Sequence, residues 1–350
     1  MPVKNTSVEI PTLVRIKAGA LDRLGIYARR LEFRKVVLLS STGLPDSILQ
    51  RAKAALREQN VEVLQQIEVL SSSYEHAQEV FQALPHSTSA VIGLGGGKAL
   101  DVAKYVTFLM RLPYVAVPTS LSNDGFCSPQ SSLELQGKRR SLPSAMPYGV
   151  VVDTEICLNA PPILWCAGIG DSVAKITAVH DWKLAFRACG TPVNDFAALL
   201  SDATVFQLMA SPQGNLEGIS LLATALMLNG VAMEICGSSR PASGSEHLIS
   251  HALDLINPKP RLHGLQVGVA TYLVSQLQNH GTDRIAALFD ATGFWDQIRR
   301  DPFIRPDWVA AFHSAPSVKP GFYTILSERD YAEDLTRIID QDPRLKGLYV

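Results

Sequence analysis

Between residues 35 and 118 short β-branched runs take turns with amphipathic stretches, and this alternation restricts what the chain can fold into more than any other feature. Residues 35–39, 61–69, 89–94 and 114–118 read as strands, and 45–59, 76–84 and 99–110 as the helices between them. Strands separated by helices predict a parallel sheet covered on both faces, because a parallel neighbour is reached only by a crossover. After Asp153 the texture changes. Pro161-Pro162 breaks the chain, and long apolar helical stretches follow with almost no strand signal. A boundary is therefore expected near residue 158, with an α/β domain over 1–158 and a helical domain over 159–350. At 350 residues, 47% hydrophobic and 19% charged, the chain can bury a large core in each.

Charge narrows the partners. With 32 basic and 33 acidic side chains the formal net charge is -1, so no global field draws the protein to nucleic acid or to an anionic membrane, and an anionic substrate must be caught locally. Cys127, Cys157, Cys166, Cys189 and Cys236 are odd in number and contain no Cys-x-x-Cys pair, which fits reduced thiols in a cytoplasmic protein. All five are expected to be small apolar fillers. Residues 1–10 carry one lysine and no apolar run, so a secretory leader is not expected there. The most membrane-like stretch, 218–236, is interrupted by Asn229, Gly230 and Glu234 and is expected to be a buried core helix rather than a membrane span.

Two motifs carry chemistry. In the first, a strand ends in Gly95-Gly96-Gly97 and opens a helix through Lys98 and Ala99. Glycine lets backbone approach a phosphate closely, and the first helical N–H groups favour negative charge, so the expected ligand is a pyrophosphate. A tight turn made for steric reasons alone would look similar. Ile92 and Ala99 break the Walker pattern, and Lys98 stands where the dinucleotide fingerprint counted from Gly93 needs a third glycine or alanine, so this would be a βα phosphate turn of another type. Pro118-Thr119-Ser120-Leu121-Ser122-Asn123-Asp124-Gly125 follows the next strand, at the edge where ligands of open α/β sheets bind. Its hydroxyls and carboxylate suit a cofactor or a polyol, or make an ordinary turn.

The second motif is dispersed. His247 and His251 are four apart and share one face of an expected helix; His263 follows the rigid turn Asn257-Pro258-Lys259-Pro260; Asp171 follows Gly168-Ile169-Gly170 at an expected helix start. Asp171, His247 and His263 would hold a divalent metal and leave a coordination position open, as a catalytic site requires, although an aspartate at a helix start is also a common N-cap. The His-Glu-x-x-His signature and the Gly-x-Ser-x-Gly elbow are both missing, so neither a zincin nor a serine hydrolase is supported.

These stretches, together with Asp101-Val102-Ala103-Lys104-Tyr105, Ala178-Val179-His180-Asp181-Trp182, Ser243-Gly244-Ser245-Glu246-His247 and Leu262-His263-Gly264, resemble the glycerol-1-phosphate dehydrogenases. Those enzymes lie in the larger group of iron-containing alcohol dehydrogenases, glycerol dehydrogenase and dehydroquinate synthase. The resemblance runs from the strand near Lys35 to at least Tyr272. It implies a Rossmann-like, parallel-sheet NAD(P)-binding domain and an all-helical metal- and substrate-binding domain of dehydroquinate synthase-like type, with the active site in the cleft between them. It implies metal ligation by Asp171, His247 and His263, and catalytic or substrate roles for Asp124, Asp171 and His251. Cofactor contacts fall to Gly95, Gly96, Gly97, Lys98, Ala99, Thr119, Ser120, Leu121, Ser122 and Ser128. The implied cofactors are NAD or NADP and one divalent metal, Zn2+ first, with Fe2+ or Ni2+ as alternatives. The implied partner is a small phosphorylated polyol or ketone, and a homo-oligomer without membrane insertion is expected.

The implied reaction interconverts dihydroxyacetone phosphate and sn-glycerol 1-phosphate. Three other readings stay open: a glycerol or other polyol dehydrogenase, a dehydroquinate synthase-like enzyme that uses NAD catalytically, and a silent nucleotide-binding protein. The chain departs from the family pattern Leu-His-Gly-Glu-Gln-Val-Gly at Leu265, which removes a carboxylate beside His263 and leaves the substrate open. Ser40-Ser41-Thr42, at the end of the first predicted strand, carry hydroxyls and no acid, which predicts use of both NADH and NADPH. Lys138, Arg139 and Arg140 form a basic cluster that suits either a substrate phosphate or solvent.

Overall fold

The computed structural model describes residues 8–350, so most of the segment 1–10, where a secretory leader is not expected, lies outside the described residues. The strands are β1 Leu13–Lys17, β2 Lys35–Ser41, β3 Glu62–Val69, β4 Ala90–Gly95, β5 Tyr114–Pro118, β6 Gln130–Leu135, β7 Lys138–Pro143 and β8 Gly149–Asp153. The helices before and just after the last strand are α1 Leu24–Arg30, α2 Asp46–Glu58, α3 Tyr74–Ala83, α4 Gly97–Met110 and α5 Thr154–Leu158. Helices then follow without further strands: α6 Pro162–Val173, α7 Lys175–Cys189, α8 Asp195–Ala210, α9 Leu216–Cys236, α10 Ser245–Ile256, α11 His263–Leu277, α12 Thr282–Thr292, α13 Phe294–Arg299, α14 Arg305–Val318 and α15 Ala332–Gln341. Two compact units result. One runs up to Ser120 and resumes over Gly125–Cys157; the other comprises Leu121–Asp124 and Leu158–Val350.

In the first unit six strands form a parallel sheet in the order β1-β8-β5-β4-β2-β3. Successive side chains of β2 feed two different cores. Val36 and Leu38 join Leu56, Ile92 and Val117 on one face, whereas Val37 and Leu39 join Val80, Val91 and Val106 on the other. A sheet buried on both faces produces this division of apolar side chains. From β2 the chain passes outward to β3, and from β4 it passes the opposite way to β5, so the carboxyl ends of β2 and β4 meet at the topological switch point.

The helical unit is built by close approach. A β-carbon on Gly168 would collide with the Leu121 carbonyl, one on Gly170 with the Gly264 carbonyl, and one on Gly264 with the Ala167 carbonyl. Gly268 sits with its missing β-carbon 2.8 Å from the Gly170 Cα. Glycines on both partners therefore let α6 and α11 touch backbone to backbone. Leu216–Cys236 is apolar enough to cross a membrane by length and composition, but 61% of its most apolar window is buried inside the protein.

Several expectations are corrected. Asp171 lies near the end of α6 and not at a helix start; the helix begins at Pro162, whose missing N–H costs nothing in the first turn. Cys189 is exposed and Cys236 half-buried, so only Cys127, Cys157 and Cys166 are buried fillers, and none of the five forms a disulfide. Strands β1, β6, β7 and β8 lie outside the predicted set. Lys138, Arg139 and Arg140 are exposed on β7 of the β6–β7 hairpin.

Candidate functional site

At the switch point the glycines do distinct work. Gly95 has φ +142°, and a β-carbon there would collide with the Ser41 hydroxyl. The Gly96 N–H donates to Ser41 Oγ at 2.9 Å, tying the loop to the end of β2. Gly96 caps α4 without a side-chain bond to the helix, and the first turn carries no acid. The nearest atom to a β-carbon placed on Gly96 would be Ser120 Oγ at 4.0 Å, so glycine leaves room in front of uncapped helical N–H groups. That is the cradle a pyrophosphate requires. Lys98 is exposed beside it, and Ala99 is buried.

The remaining predicted cofactor residues fall in different surroundings. The Thr119 N–H donates to the Gly95 carbonyl at 3.0 Å and so joins the same loop. Ser120 belongs to the α/β unit, whereas Leu121 and Ser122 belong to the helical one, Leu121 being buried. Ser128 is buried under Lys104, whose ammonium donates to Ser128 Oγ at 3.1 Å and to the Gly125 carbonyl at 2.5 Å. Of the hydroxyls at the end of β2, Thr42 donates to the Val69 carbonyl at 2.8 Å, whereas Ser41 Oγ accepts from the Gly96 N–H and so does not commit its own proton in that bond.

In the helical unit α6, α10 and α11 bring Asp171, His247 and His263 together, with one ligand atom from each inside 4.8 Å of the others. His247 Nε2 lies 3.6 Å and His263 Nε2 3.8 Å from the same oxygen, Asp171 Oδ1. Ligands held at 2.0–2.1 Å around a tetrahedral Zn2+ stand about 3.4 Å apart, so the spacing fits one divalent ion with little adjustment. The ring of His251 follows one turn along α10, 5.8 Å from that of His263 and 6.3 Å from that of His247. The Asp124 N–H donates to Asp171 Oδ2 at 3.0 Å, which fixes the 121–124 segment beside the triad.

Three partners carried no signal in the sequence. Lys175 is fully buried, donates to the Asp171 carbonyl at 2.9 Å and the Ala242 carbonyl at 3.2 Å, and lies 3.5 Å from Asp124 Oδ2. Glu246 Oε1 is 2.8 Å from His247 Nδ1, and Ser250 Oγ is 3.1 Å from His263 Nδ1. With Nδ1 engaged, each ring turns Nε2 toward Asp171.

The electrostatics follow from burial and these contacts. Burial works to raise the Asp171 pKa, but the Lys175 ammonium and the two histidines outweigh it and hold the carboxyl well below the usual range. Asp124 moves the other way, to about 6, because burial and then the Asp171 charge oppose a second carboxylate. Burial would lower His247, but hydrogen bonds to Asp171 and Glu246 raise it to about 9. At pH 7 the metal-free ring is therefore protonated and must lose that proton to become a ligand. We expect uptake of Zn2+ to release about one proton per ion at pH 7, and apparent affinity to rise about tenfold per pH unit until pH 9 is approached. Chelator-competition titrations between pH 6.5 and 8.5 check this; a flat profile contradicts it.

Comparison with known proteins bears on the family of the chain. Residues 15–161 match the model of the iron-containing alcohol dehydrogenases. The solved glycerol dehydrogenase of Schizosaccharomyces pombe superposes with a TM-score of 0.74 at 17% identity, covering 95% of this chain and 91% of that one. The sulfoacetaldehyde reductase of Bifidobacterium kashiwanohense, solved with NAD+, gives 0.68 at 17%, covering 95% and 97%. At such identity these likenesses speak for the fold alone. Two curated relatives, both named glycerol-1-phosphate dehydrogenase [NAD(P)+], are closer in sequence. The protein of Metallosphaera sedula is 33% identical over 94% of this chain and 95% of its own length, and that of Aeropyrum pernix 35% identical over 94% and 97%. Identity of that order along nearly the whole length of both partners leaves one conclusion: the chain belongs to the glycerol-1-phosphate dehydrogenase family.

Proposed function

We propose that the protein interconverts dihydroxyacetone phosphate and sn-glycerol 1-phosphate, with NAD(H) or NADP(H) as the hydride carrier and a divalent metal at Asp171, His247 and His263. The observation that carries this is the triad itself, an ionised carboxylate and two imidazole nitrogens converging on one point in a chain of this family. When bound, the metal supplies Lewis-acid stabilisation for the charge that builds on the substrate oxygen, and the nicotinamide supplies or accepts the hydride.

The chain's own groups do the rest. Asp171 stays ionised because Lys175 and the histidines favour its charge, so the triad carries only one formal negative charge once His247 is neutral. His251 would relay the proton that leaves or reaches the substrate hydroxyl. Asp124, steadied by Lys175, would accept a substrate hydroxyl hydrogen bond. Gly95, Gly96, Gly97, Lys98 and Ala99 would hold the pyrophosphate, with Thr119, Ser120, Leu121, Ser122 and Ser128 forming the rest of the cofactor contacts. In this reading the α/β unit binds nucleotide and the helical unit binds metal and substrate. The cytoplasm is the compartment that suits five cysteines with no disulfide among them, and a homo-oligomer is the proposed assembly.

Steady-state oxidation of NADH and NADPH with dihydroxyacetone phosphate, and with unphosphorylated dihydroxyacetone as control, tests the proposal. Turnover is expected only with the phosphorylated ketone; equal turnover of both would make the protein a general polyol dehydrogenase. The end of β2 carries no acid to repel a 2′-phosphate, so the two nucleotides should differ in kcat/KM by less than about a hundredfold, roughly 2.7 kcal/mol. A larger preference would contradict that part.

A further inference from the structure

We propose that Glu246 is a positioning residue: its carboxylate holds the His247 ring with Nδ1 protonated, so that the Nε2 lone pair is kept for the metal. This rests on the assignment of Asp171, His247 and His263 as the ligands. Glu246 is fully buried, and each of its oxygens is spoken for. Oε1 accepts from the Gly244 N–H at 2.6 Å and faces His247 Nδ1 at 2.8 Å, while Oε2 accepts from the Thr177 hydroxyl at 2.8 Å. A carboxylate held in this way accepts and does not donate, so it imposes the Nδ1–H tautomer.

The surroundings are shaped to keep it there. A β-carbon on Gly244 would stand 2.8 Å from Asp181 Oδ2 and 2.9 Å from Glu246 Oε2, so the backbone before α10 can follow its path only with glycine. Asp181, also fully buried, accepts from the Ser245 N–H at 2.7 Å and the Ile325 N–H at 2.9 Å, and from Gln278 Nε2 at 3.0 Å. Two buried carboxylates thus clamp the start of the helix that carries His247 and His251. His263 is served differently. Its Nδ1 partner is the neutral Ser250 hydroxyl, which also accepts from Gln266 Nε2 at 3.1 Å. The two imidazoles therefore lean on different Nδ1 partners, a buried carboxylate for His247 and a hydroxyl for His263.

The test is Zn2+ affinity by chelator competition on the whole protein, with Co2+ absorption as a second readout of ligand geometry. Wild type should bind one ion and His263→Ala should not bind it, which establishes the ligand set without involving Glu246. Glu246→Leu removes the acceptor and should weaken Zn2+ by about 10–100-fold and shift the Co2+ bands. Glu246→Gln keeps an oxygen for Nδ1–H and can donate its amide to Thr177, so it should stay within about fivefold of wild type, with Co2+ bands unchanged. Ser250→Ala should cost less than Glu246→Leu. If Glu246→Leu does not fold, Thr177→Val, which releases one oxygen of Glu246, should still weaken Zn2+ by a few-fold relative to wild type. Glu246→Leu, or in its place Thr177→Val, with wild-type affinity while His263→Ala has lost the ion overturns the positioning role and leaves the ligand assignment standing. His263→Ala that binds Zn2+ like wild type overturns both.

Discussion

His263→Ala is expected to strip the protein of its metal and to lower turnover by at least about a thousandfold, roughly 4 kcal/mol of transition-state stabilisation. The ring is one of three groups whose ligand atoms converge, and no other described His, Cys, Asp or Glu completes a comparable set. The imidazole is only partly buried, with 22% of its side chain exposed at the first residue of α11, so its loss should leave α11 packed. The variant should keep a wild-type far-UV spectrum and still bind nucleotide through the Gly95–Gly97 turn. Metal analysis, nucleotide titration and steady-state kinetics on one preparation check this. Full turnover without bound metal would contradict the metal assignment.

Gly264→Ala should have the second largest effect, and it acts through the fold. The added methyl group would collide with the Ala167 carbonyl, lie 2.5 Å from its carbon and stand 2.9 Å from the Ser122 carbonyl oxygen. All of these are backbone atoms that cannot turn aside, so α6 and α11 must separate. The cost should reach about 3 kcal/mol. Because α6 carries Asp171 and α11 carries His263, the same separation should weaken the metal. Gly214→Ala is the control: nothing lies within 4 Å of its β-carbon, and the change should stay within about 0.5 kcal/mol. Urea denaturation of the two variants checks the contrast. Equal stability of both would contradict backbone contact as the reason for Gly264.

The alternation that predicts the sheet is legible because β2, β3, β4 and β5 each lie between a helix and a turn. β1 and β8 are not, because each depends on the other across the chain: Leu13 pairs with Gly149, and Leu-Val-Arg-Ile-Lys alone has nothing to pair with. The β6–β7 hairpin was hidden by its turn. Gln136 and Gly137 take φ of 54° and 72°, the tight-turn geometry usually signalled by Asn-Gly or Asp-Gly, and Lys138 to Arg140 read as a charge run. Gly168 and Gly170 suggested a helix start before Asp171, whereas their purpose is contact with other backbone far along the chain. Asp171, His247 and His263 stood out through the glycines before the first, the four-residue spacing from His247 to His251 and the proline turn before His263. Glu246 did not, since nothing in the letters separates a carboxylate facing solvent from one held by Thr177 and Gly244.

The most direct test of the proposed reaction is the handedness of its product. Dihydroxyacetone phosphate is reduced to completion by metal-loaded protein with NADH, and the product is assayed with a dehydrogenase specific for one enantiomer. A site that holds the ketone in one orientation receives hydride on one face only, and under the proposed function the product is expected to be sn-glycerol 1-phosphate alone. A racemic product, sn-glycerol 3-phosphate, or no turnover by protein carrying one metal ion and bound nucleotide would contradict the proposed function.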